Sequence, residues 1–290
     1  MADYYNRLFE LFIVDRDLPF ISATDGRQFK ITFDILLEFG GMTSYADIAI
    51  YNLSRDTEAL VFRKGDYVGF SAGYVDSIDS IFKGEIVNIL REKQVGDTIT
   101  RLICKGGTIS QQSSTINTSF EGGASIVELI KACASALGFP LVIDEGDFPG
   151  ESPYISGYHL AGDPKTILNK LARSHHFQWL IESEKLVVVG DSSFRKGDVI
   201  VVSSSTGLIG VPEITEIGSD VLVKLNPALK IGGRFELKSE LVVANFSAIY
   251  FQDFPETIGP GVYNIDRLQF EGDSYGDVWD TKITSLRRAS

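Results

Sequence analysis

The chain has 290 residues, with 27 lysines and arginines against 39 aspartates and glutamates, and a formal net charge of −12. This excess of acid argues against tight binding to the phosphate backbone of nucleic acids, which needs clustered cations. No apolar run approaches the ~20 residues of a membrane-spanning helix, so we expect no membrane insertion. The N-terminus, MADYYNRLFELF, lacks the basic and apolar regions of a secretory signal, which predicts synthesis in a cytoplasm.

The first third of the chain has the period-two alternation of half-buried strands. Residues 45–53 and 65–75 follow this pattern, and residues 80–106 indicate a long hairpin that turns at 95–97. A short helix is expected to begin at Ser54. The clearest alternation places five apolar side chains on one side of a strand: Phe29, Ile31, Phe33, Ile35 and Leu37. Closely spaced strands of this kind favour an antiparallel barrel or sandwich.

The middle of the chain, residues 114–192, predicts a small α+β unit. Ser125 and Glu128 form a capping-box pattern at the start of an apolar helical repeat, and Gly138 is placed to end that helix. Asp163 followed by Pro164 predicts the start of a second helix. Residues 177–190 then indicate a hairpin that turns near residues 183 and 184. Cys104, in a strand pattern, and Cys133, on a helix face, are expected to be buried thiols.

The last third returns to strands, which are predicted near residues 213–217, 220–225 and 233–238. A closing hairpin follows, with Val262, Ile265 and Leu268 in one arm and a turn at 274–277. The alternation of its other arm includes Trp279, Thr281, Ile283 and Ser285. Both outer thirds contain a lysine- and glycine-containing step into a strand, at 64–66 and 230–233, which indicates a duplicated β-unit. The predicted fold is mainly β, with β-barrel domains at 1–113 and 193–290 around an α+β insert at 114–192.

The sequence shows no constellation of catalytic, cofactor-binding or metal-binding residues. The acidic stretch EGDSYGD at 271–277 fails the calcium-loop pattern, because counting from Asp273 puts Tyr275 third and Val278 sixth. The three histidines lack the spacing of a zinc site, and no glycine-rich phosphate loop or nucleophile elbow occurs. We therefore expect a structural or binding protein without enzymatic activity or a cofactor.

Several ordered motifs connect the outer thirds to one family. They are the run from IAIYNL at 48–53 through KGDYVGFSAGY at 64–74 to IFKGEI at 81–86, the segments GLIGVP at 207–212 and LNPALKIGG at 225–233, and GDSYGDVWDT at 272–281. In this order they resemble the hub proteins of phage tail baseplates, the late control protein D and T4-type hubs. The resemblance covers nearly the whole chain, including the helix DPKTILNKLA at 163–172. Unlike the larger relatives in this resemblance, the chain is expected to carry no long C-terminal extension with a lytic or spike module.

The resemblance implies a structural part of a virion. Hubs of this family form homotrimers whose subunits each carry two tail-tube-like barrels, so that six barrels match a hexameric tail tube while three subunits match a trimeric spike. The implied partners are the tail tube or distal tube protein, the central spike, other baseplate proteins, the tape measure protein and DNA in transient passage. The alternatives are the hub of a non-viral contractile injection system and a peptidoglycan-degrading or glycan-binding tail module. The last would use an aromatic cluster: Tyr154, Tyr158, Phe177 and Trp179.

The acidic balance suggests a physical property of such a channel. An acidic inner wall repels DNA and lets it pass without being held. The candidate wall residues lie in loops and on the polar sides of strands: Asp34, Glu38, Asp47, Glu216 and Asp220.

Overall fold

The computed structural model describes residues 7–14, 18–22, 29–40, 44–107, 114–148, 156–215, 218–245 and 259–286. The fold is mainly β with three helices in these residues. The first part contains α1 (Arg55–Val61) and seven strands: β1 (Arg7–Ile13), β2 (Leu18–Ser22), β3 (Ile31–Glu38), β4 (Tyr45–Tyr51), β5 (Tyr67–Tyr74), β6 (Asp79–Gln94) and β7 (Asp97–Lys105).

The middle part contains two helices and five strands. These are β8 (Ile116–Phe120), α2 (Ile126–Leu137), β9 (Leu141–Val142), β10 (Tyr158–Gly162), α3 (Pro164–His175), β11 (Phe177–Glu182) and β12 (Lys185–Gly190). The last part consists of strands: β13 (Ile200–Ser203), β14 (Leu208–Thr215), β15 (Gly218–Lys224), β16 (Arg234–Lys238), β17 (Val243–Asn245), β18 (Gly261–Asp273) and β19 (Trp279–Leu286).

Local sequence signals explain where the helices and tight turns lie. The Ser54 hydroxyl accepts a hydrogen bond from the backbone N–H of Thr57 at 3.1 Å and caps α1, as predicted. The predicted capping box of α2 and the Asp163 cap of α3 are both present, and Gly138 ends α2 in the left-handed conformation. The two-residue turns at 95–96 and 183–184 both have positive φ angles, as hairpin turns of this length require.

One fourteen-stranded sheet contains strands from both ends of the chain. Its main path runs β17-β14-β15-β19-β18-β3-β4-β7-β6-β5-β1-β2, and β13 and β16 attach beside β18. The junction between the two ends is the antiparallel pairing of β18 with β3, in which Arg267 to Asp273 lie opposite Glu38 to Thr32. The predicted alternation of β3 is confirmed, because Ile31, Phe33, Ile35 and Leu37 are all buried.

The strands at the two ends of the chain follow the same order. The N-terminal set (β1 and β3–β7) is arranged β3-β4-β7-β6-β5-β1, and the C-terminal set (β13–β16, β18 and β19) is arranged β14-β15-β19-β18-β16-β13. The long strands β6 and β18 each carry a register shift at the corresponding place, between Ile86 and Asn88 and between Ile265 and Arg267. The outermost pairings differ, since β1 is antiparallel to β5 whereas β13 is parallel to β16.

The lysine- and glycine-containing steps of the two strand sets make equivalent backbone hydrogen bonds. Gly65 donates its N–H to the carbonyl of Ile86 at 2.9 Å, and Gly232 donates to Ile265 at 2.8 Å. The return bonds also match: Ile86 donates to the carbonyl of Asp66 and Ile265 to that of Gly233, both at 2.9 Å. Both Gly65 and Gly232 have positive φ, which a glycine adopts without steric cost.

Two hydrophobic clusters fill the structure. The larger one lies under the fourteen-stranded sheet, and the smaller one packs α2 and α3 against β11 and β12. The β11–β12 hairpin contributes to both clusters, because Trp179 and Val188 face the helices while Leu180 and Val187 face the larger cluster. This double burial explains the continuous apolar sequence of the hairpin. Cys104 and Cys133 are buried as predicted, and burial raises the pKa of each thiol to about 12.

The first arm of the closing hairpin, β18, does not keep one alternating pattern along its whole length. Val262 is exposed and Tyr263 is buried, stacked on Phe235 at 5.7 Å between ring centroids. The register shift between Ile265 and Arg267 inserts an extra residue, so one alternating pattern cannot hold on both sides of it. Ile265 and Leu268, on the two sides of the shift, are both buried.

Candidate functional site: an acidic row across the central strands

The acidic closing turn, which resembles a metal loop in composition, is held by hydrogen bonds within the chain. The Asp273 carboxylate accepts the backbone N–H groups of Tyr275 and Gly276, both at 2.9 Å, and lies 3.2 Å from the Lys30 ammonium. Partial burial raises the pKa of Asp273, but these donors outweigh it, so the net pKa is lowered. The Arg7 guanidinium donates to the carbonyls of Asp273, Gly276 and Asp277. The turn prediction at 274–277 is thus confirmed, since these residues lie between β18 and β19.

Four carboxylates lie side by side on the face of the sheet that points away from the larger cluster. In cross-strand register, Asp280 of β19 is opposite Glu271 of β18, Glu271 is opposite Asp34 of β3, and Asp34 is opposite Asp47 of β4. We name Asp280, Glu271, Asp34 and Asp47 the acidic row. Side chains directly opposite in a sheet have Cβ atoms about 5 Å apart, and like charges in such positions destabilise the sheet. The repulsion within the acidic row therefore destabilises the sheet, so stability does not explain why these acids lie together.

Cations neutralise the two ends of the acidic row. The Lys224 ammonium lies 3.1 Å from the Asp280 carboxylate at one end. At the other end the Arg101 guanidinium pairs with Asp47 and also lies 3.0 Å from Glu92. The hydrogen bond to Asp47 is the largest cause that raises the pKa of Arg101. These pairs leave Asp34 and Glu271 as the charged centre of the acidic row.

The centre of the acidic row is bridged by a neutral donor. The side-chain amide of Gln269 donates to the Asp34 carboxylate at 3.0 Å and to the Glu271 carboxylate at 2.7 Å. An amide satisfies hydrogen-bond acceptors without removing their charge. Asp34 and Glu271 are both exposed, so the centre of the acidic row presents negative charge to whatever lies above the sheet.

The corresponding strands of the C-terminal set also carry acids at these positions. Glu213 of β14 lies opposite Asp220 of β15, as Asp34 of β3 lies opposite Asp47 of β4. Glu92 of β6 corresponds to Glu271 of β18. Glu92 lies four residues after Asn88, and Glu271 lies four residues after Arg267, the first paired residue beyond the register shift in each strand. Asp220 accepts a hydrogen bond from the Thr284 hydroxyl at 2.6 Å. The two strand sets thus repeat an acidic position as well as a strand order.

The predicted wall residues have different environments in the structure. Asp34 and Asp47 are brought together on one face, where they also line a depression of about 390 Å³ with Glu92 and Arg101. Glu38 lies 3.9 Å from Arg267, and Glu216 lies outside the described residues. Sequence reasoning missed four acids that join them, and only the register between strands distant in sequence could have identified these: Glu92, Glu213, Glu271 and Asp280.

The described members of the aromatic cluster considered for glycan binding do not form an exposed groove. Phe177 and Trp179 are buried, and the Trp179 indole N–H donates to the side chain of Asn169 at 3.1 Å. Tyr158 is partly buried against the smaller cluster, and Tyr154 lies outside the described residues. Within the described ranges, no three His, Cys, Asp or Glu side chains converge as a metal site. None of the helices described here is long and apolar enough to cross a membrane.

Comparison with known proteins identifies the family of this chain. The profile described as "Baseplate hub gp41" matches residues 40–245, which is more than half of the sequence. The chain belongs to the baseplate hub gp41 family. As a member of this family it is a structural tail protein, and the resemblance found in the sequence motifs is confirmed. No curated protein sequence matches the chain significantly.

Solved structures of tail proteins share the fold of this baseplate hub protein. The 43 kDa tail protein of prophage MuSo2 from Shewanella oneidensis matches with a TM-score of 0.64 at 9% identity, over 98% of this chain and 99% of that one. A tail protein from Neisseria meningitidis MC58 matches with a TM-score of 0.61 at 11% identity, over 98% and 97%. The E. coli c3393 protein, a type VI secretion system component, matches with 0.60 at 9% identity, over 96% and 77%.

Proposed function

We propose that this hub protein forms a homotrimeric ring that joins a sixfold tail tube to a threefold central spike and lets DNA pass through its centre. The observation that carries the proposal is the matching strand order of the two strand sets, down to the hydrogen bonds of Gly65 and Gly232. Two similar units per chain give six similar units in a trimer. One surface of the ring then fits a hexameric tube, and the opposite surface keeps the threefold symmetry of the spike.

The proposed organisation has two tube-like barrel domains, at 1–113 and 193–290, and an insert at 114–192. The separate core of α2, α3 and the β11–β12 hairpin supports an insert that folds around its own hydrophobic cluster. The proposed partners are the tail tube or distal tube protein, the central spike, other baseplate proteins and the tape measure protein. The E. coli relative from a secretion system supports a second candidate, the hub of a non-viral contractile injection particle.

The acidic row supports the proposed passage of DNA. Carboxylates that face a channel repel the phosphate backbone, and the repulsion extends over a Debye length of about 8–10 Å at physiological salt. The central acids Asp34 and Glu271 have no neutralising ion pair among the described contacts, and both are exposed. The crowding of like charges in the acidic row lowers stability, and a role in keeping DNA from binding to the channel wall accounts for this cost.

Native mass spectrometry of the full chain, alone and with the spike protein of the same tail, tests the ring. We expect a species of three times the 31.9 kDa of one chain, and a complex with a trimeric spike. A single chain that also ignores the spike would contradict the proposal. A zymogram on peptidoglycan distinguishes the structural role from the alternative lytic role, since the hub is expected to leave no clearing.

A DNA-retention assay tests the channel. The wild-type ring is expected to retain no DNA at about 0.15 M salt, because its wall repels phosphates. The double variant Asp34→Lys/Glu271→Lys is expected to retain DNA in a salt-dependent manner. Equal retention by the wild type and the variant would refute an acidic wall.

A further inference from the structure

The long strand β18 shows how two strand sets join within one chain. Its first half, Gly261 to Asn264, pairs with β16, and its second half, Arg267 to Asp273, pairs with β3. The opposite edge of β18 pairs with β19 from Asn264 to Gly272. The second half of β18 therefore has strands on both edges, and β3 is the strand that closes the junction.

The counterpart strand β6 has the same design, but the described strands pair with only part of its outer edge. Its first half pairs with β5, and its opposite edge pairs with β7 from Glu85 to Gln94. Among the described residues no strand pairs with the outer edge of 88–94, the segment that corresponds to the β3-binding half of β18. The last five residues of β6 are all exposed, and three are charged: Arg91, Glu92 and Lys93. Charged side chains keep such an edge from random pairing while it remains open.

The strand that corresponds to β3 is β14, which lies near the far end of the sheet. On the main path of the sheet, β14 is seven strand spacings from β6. Adjacent strands are about 4.8 Å apart, so the two edges of one chain are about 34 Å apart along the sheet. No described pairing joins these two edges within one chain, so a second copy of the chain can supply the partner of each.

We propose that the outer edge of β6 in one copy binds β14 of a second copy, in the register that β18 and β3 use within the chain. Within the chain Gln269 lies opposite Leu36, and Glu271 opposite Asp34. The corresponding pairs between copies are Leu90 with Thr215 and Glu92 with Glu213. This pairing rests on the proposed trimeric function and specifies its interface.

The proposal assigns a role to the short strand β17. Val243 to Asn245 pair in parallel with Glu213 to Thr215, on the edge of β14 that the second copy needs. A three-residue strand contributes few hydrogen bonds, and Val243 remains 52% exposed beside it. β17 covers the β14 edge in a single chain and is displaced when β6 of the second copy binds. The longer antiparallel pairing replaces the shorter parallel one.

The pairing extends the acidic row around the assembly. At the junction within a chain the sequence of opposed acids is Asp280, Glu271, Asp34 and Asp47. At the junction between copies Glu92 lies beside Glu213, which is already opposite Asp220. Arg101 lies 3.0 Å from Glu92 and keeps this junction partly neutral. Three copies then carry six acidic junctions at one level of the ring.

Disulfide trapping of the full chain tests the register. The double variant Leu90→Cys/Thr215→Cys places two thiols in directly opposed positions, within the Cα separation of about 4.4–6.8 Å that a disulfide allows. The native thiols of Cys104 and Cys133 are fully buried and do not compete. The matched control is Leu90→Cys/Ile209→Cys, since Ile209 is expected opposite Gln94, about 13 Å along the strand from Leu90.

Mild oxidation of the double variant is expected to give covalent dimers and trimers with no larger species, while the control and each single variant stay uncrosslinked. A trimer by native mass without crosslinks in the double variant overturns this strand pairing and leaves the trimeric hub intact. Crosslinks that extend beyond three chains support the pairing and overturn the closed trimer. A chain that is monomeric by mass and does not crosslink overturns both.

Discussion

Removing one charge at the centre of the acidic row is expected to stabilise the protein. In Asp34→Asn, the carboxylate that faces Glu271 across the strands becomes neutral, while the amide oxygen still accepts the hydrogen bond from Gln269. Two unit charges about 5 Å apart in water repel each other by about 0.8 kcal/mol. Asp47 is already paired with Arg101, so the repulsion from Glu271 dominates. We expect the free energy of unfolding to rise by about 0.5–1 kcal/mol.

Thermal and urea unfolding at two salt concentrations measure this effect. At about 0.02 M salt the melting temperature of Asp34→Asn should exceed that of the wild type by about 1–4 °C, and the gain should shrink at about 0.5 M salt because ions screen exposed charges. Asp76→Asn is the control, since Asp76 is an exposed acid in the turn between β5 and β6, outside the acidic row. A variant less stable than the wild type at low salt would refute the reasoning, because the row would then contribute to stability.

Three further substitutions, each measured by urea unfolding, test the closing turn, a close contact within the sheet and a helix cap. Asp273→Asn keeps a hydrogen-bond acceptor but loses the charge beside Lys30, so it should lower the free energy of unfolding by about 1 kcal/mol. Folding lowers the pKa of Asp273, so the stability difference between wild type and variant should be complete at neutral pH. The difference should vanish as the pH falls below the ordinary pKa of 3.8, where the wild-type carboxylate becomes protonated. Gly272→Ala should lower the free energy of unfolding by about 1–3 kcal/mol, because a Cβ at this position would lie 2.3 Å from the Phe33 ring. Gly96→Ala is the control in an open turn, where a Cβ meets no atom and the only penalty is the positive φ that alanine adopts less readily than glycine. Asp163→Ala should cost about 1 kcal/mol through the lost cap of α3, and Lys165→Ala is its neutral comparison.

Local features of the fold were predictable because neighbouring residues determine them. The alternation of β3, the caps at Ser54 and Asp163 and the turn at Gly96 each depend on a few adjacent residues. The register shift near Ile265 shows the limit of this approach, since it depends on how β18 meets two partners. Periodicity alone carries no information about such partners.

The acidic row was only half predictable for the same reason. Asp34 and Asp47 belong to consecutive strands, and their polar-side positions follow from the alternation of each strand. Glu271 joins them through the pairing of β18 with β3, which connects residues more than two hundred positions apart. The repeated glycine-containing steps were visible in the sequence, but their equivalent hydrogen bonds, from Gly65 to Ile86 and from Gly232 to Ile265, required the structure.

A cryo-electron microscopy reconstruction of the assembled hub, calculated without imposed symmetry, tests the central claim most directly. We expect three copies in a ring, with six similar strand junctions around the axis and Asp34 and Glu271 facing the channel. A ring in which the two strand sets of each chain occupy unrelated positions, or in which the acidic row faces outward, would contradict it.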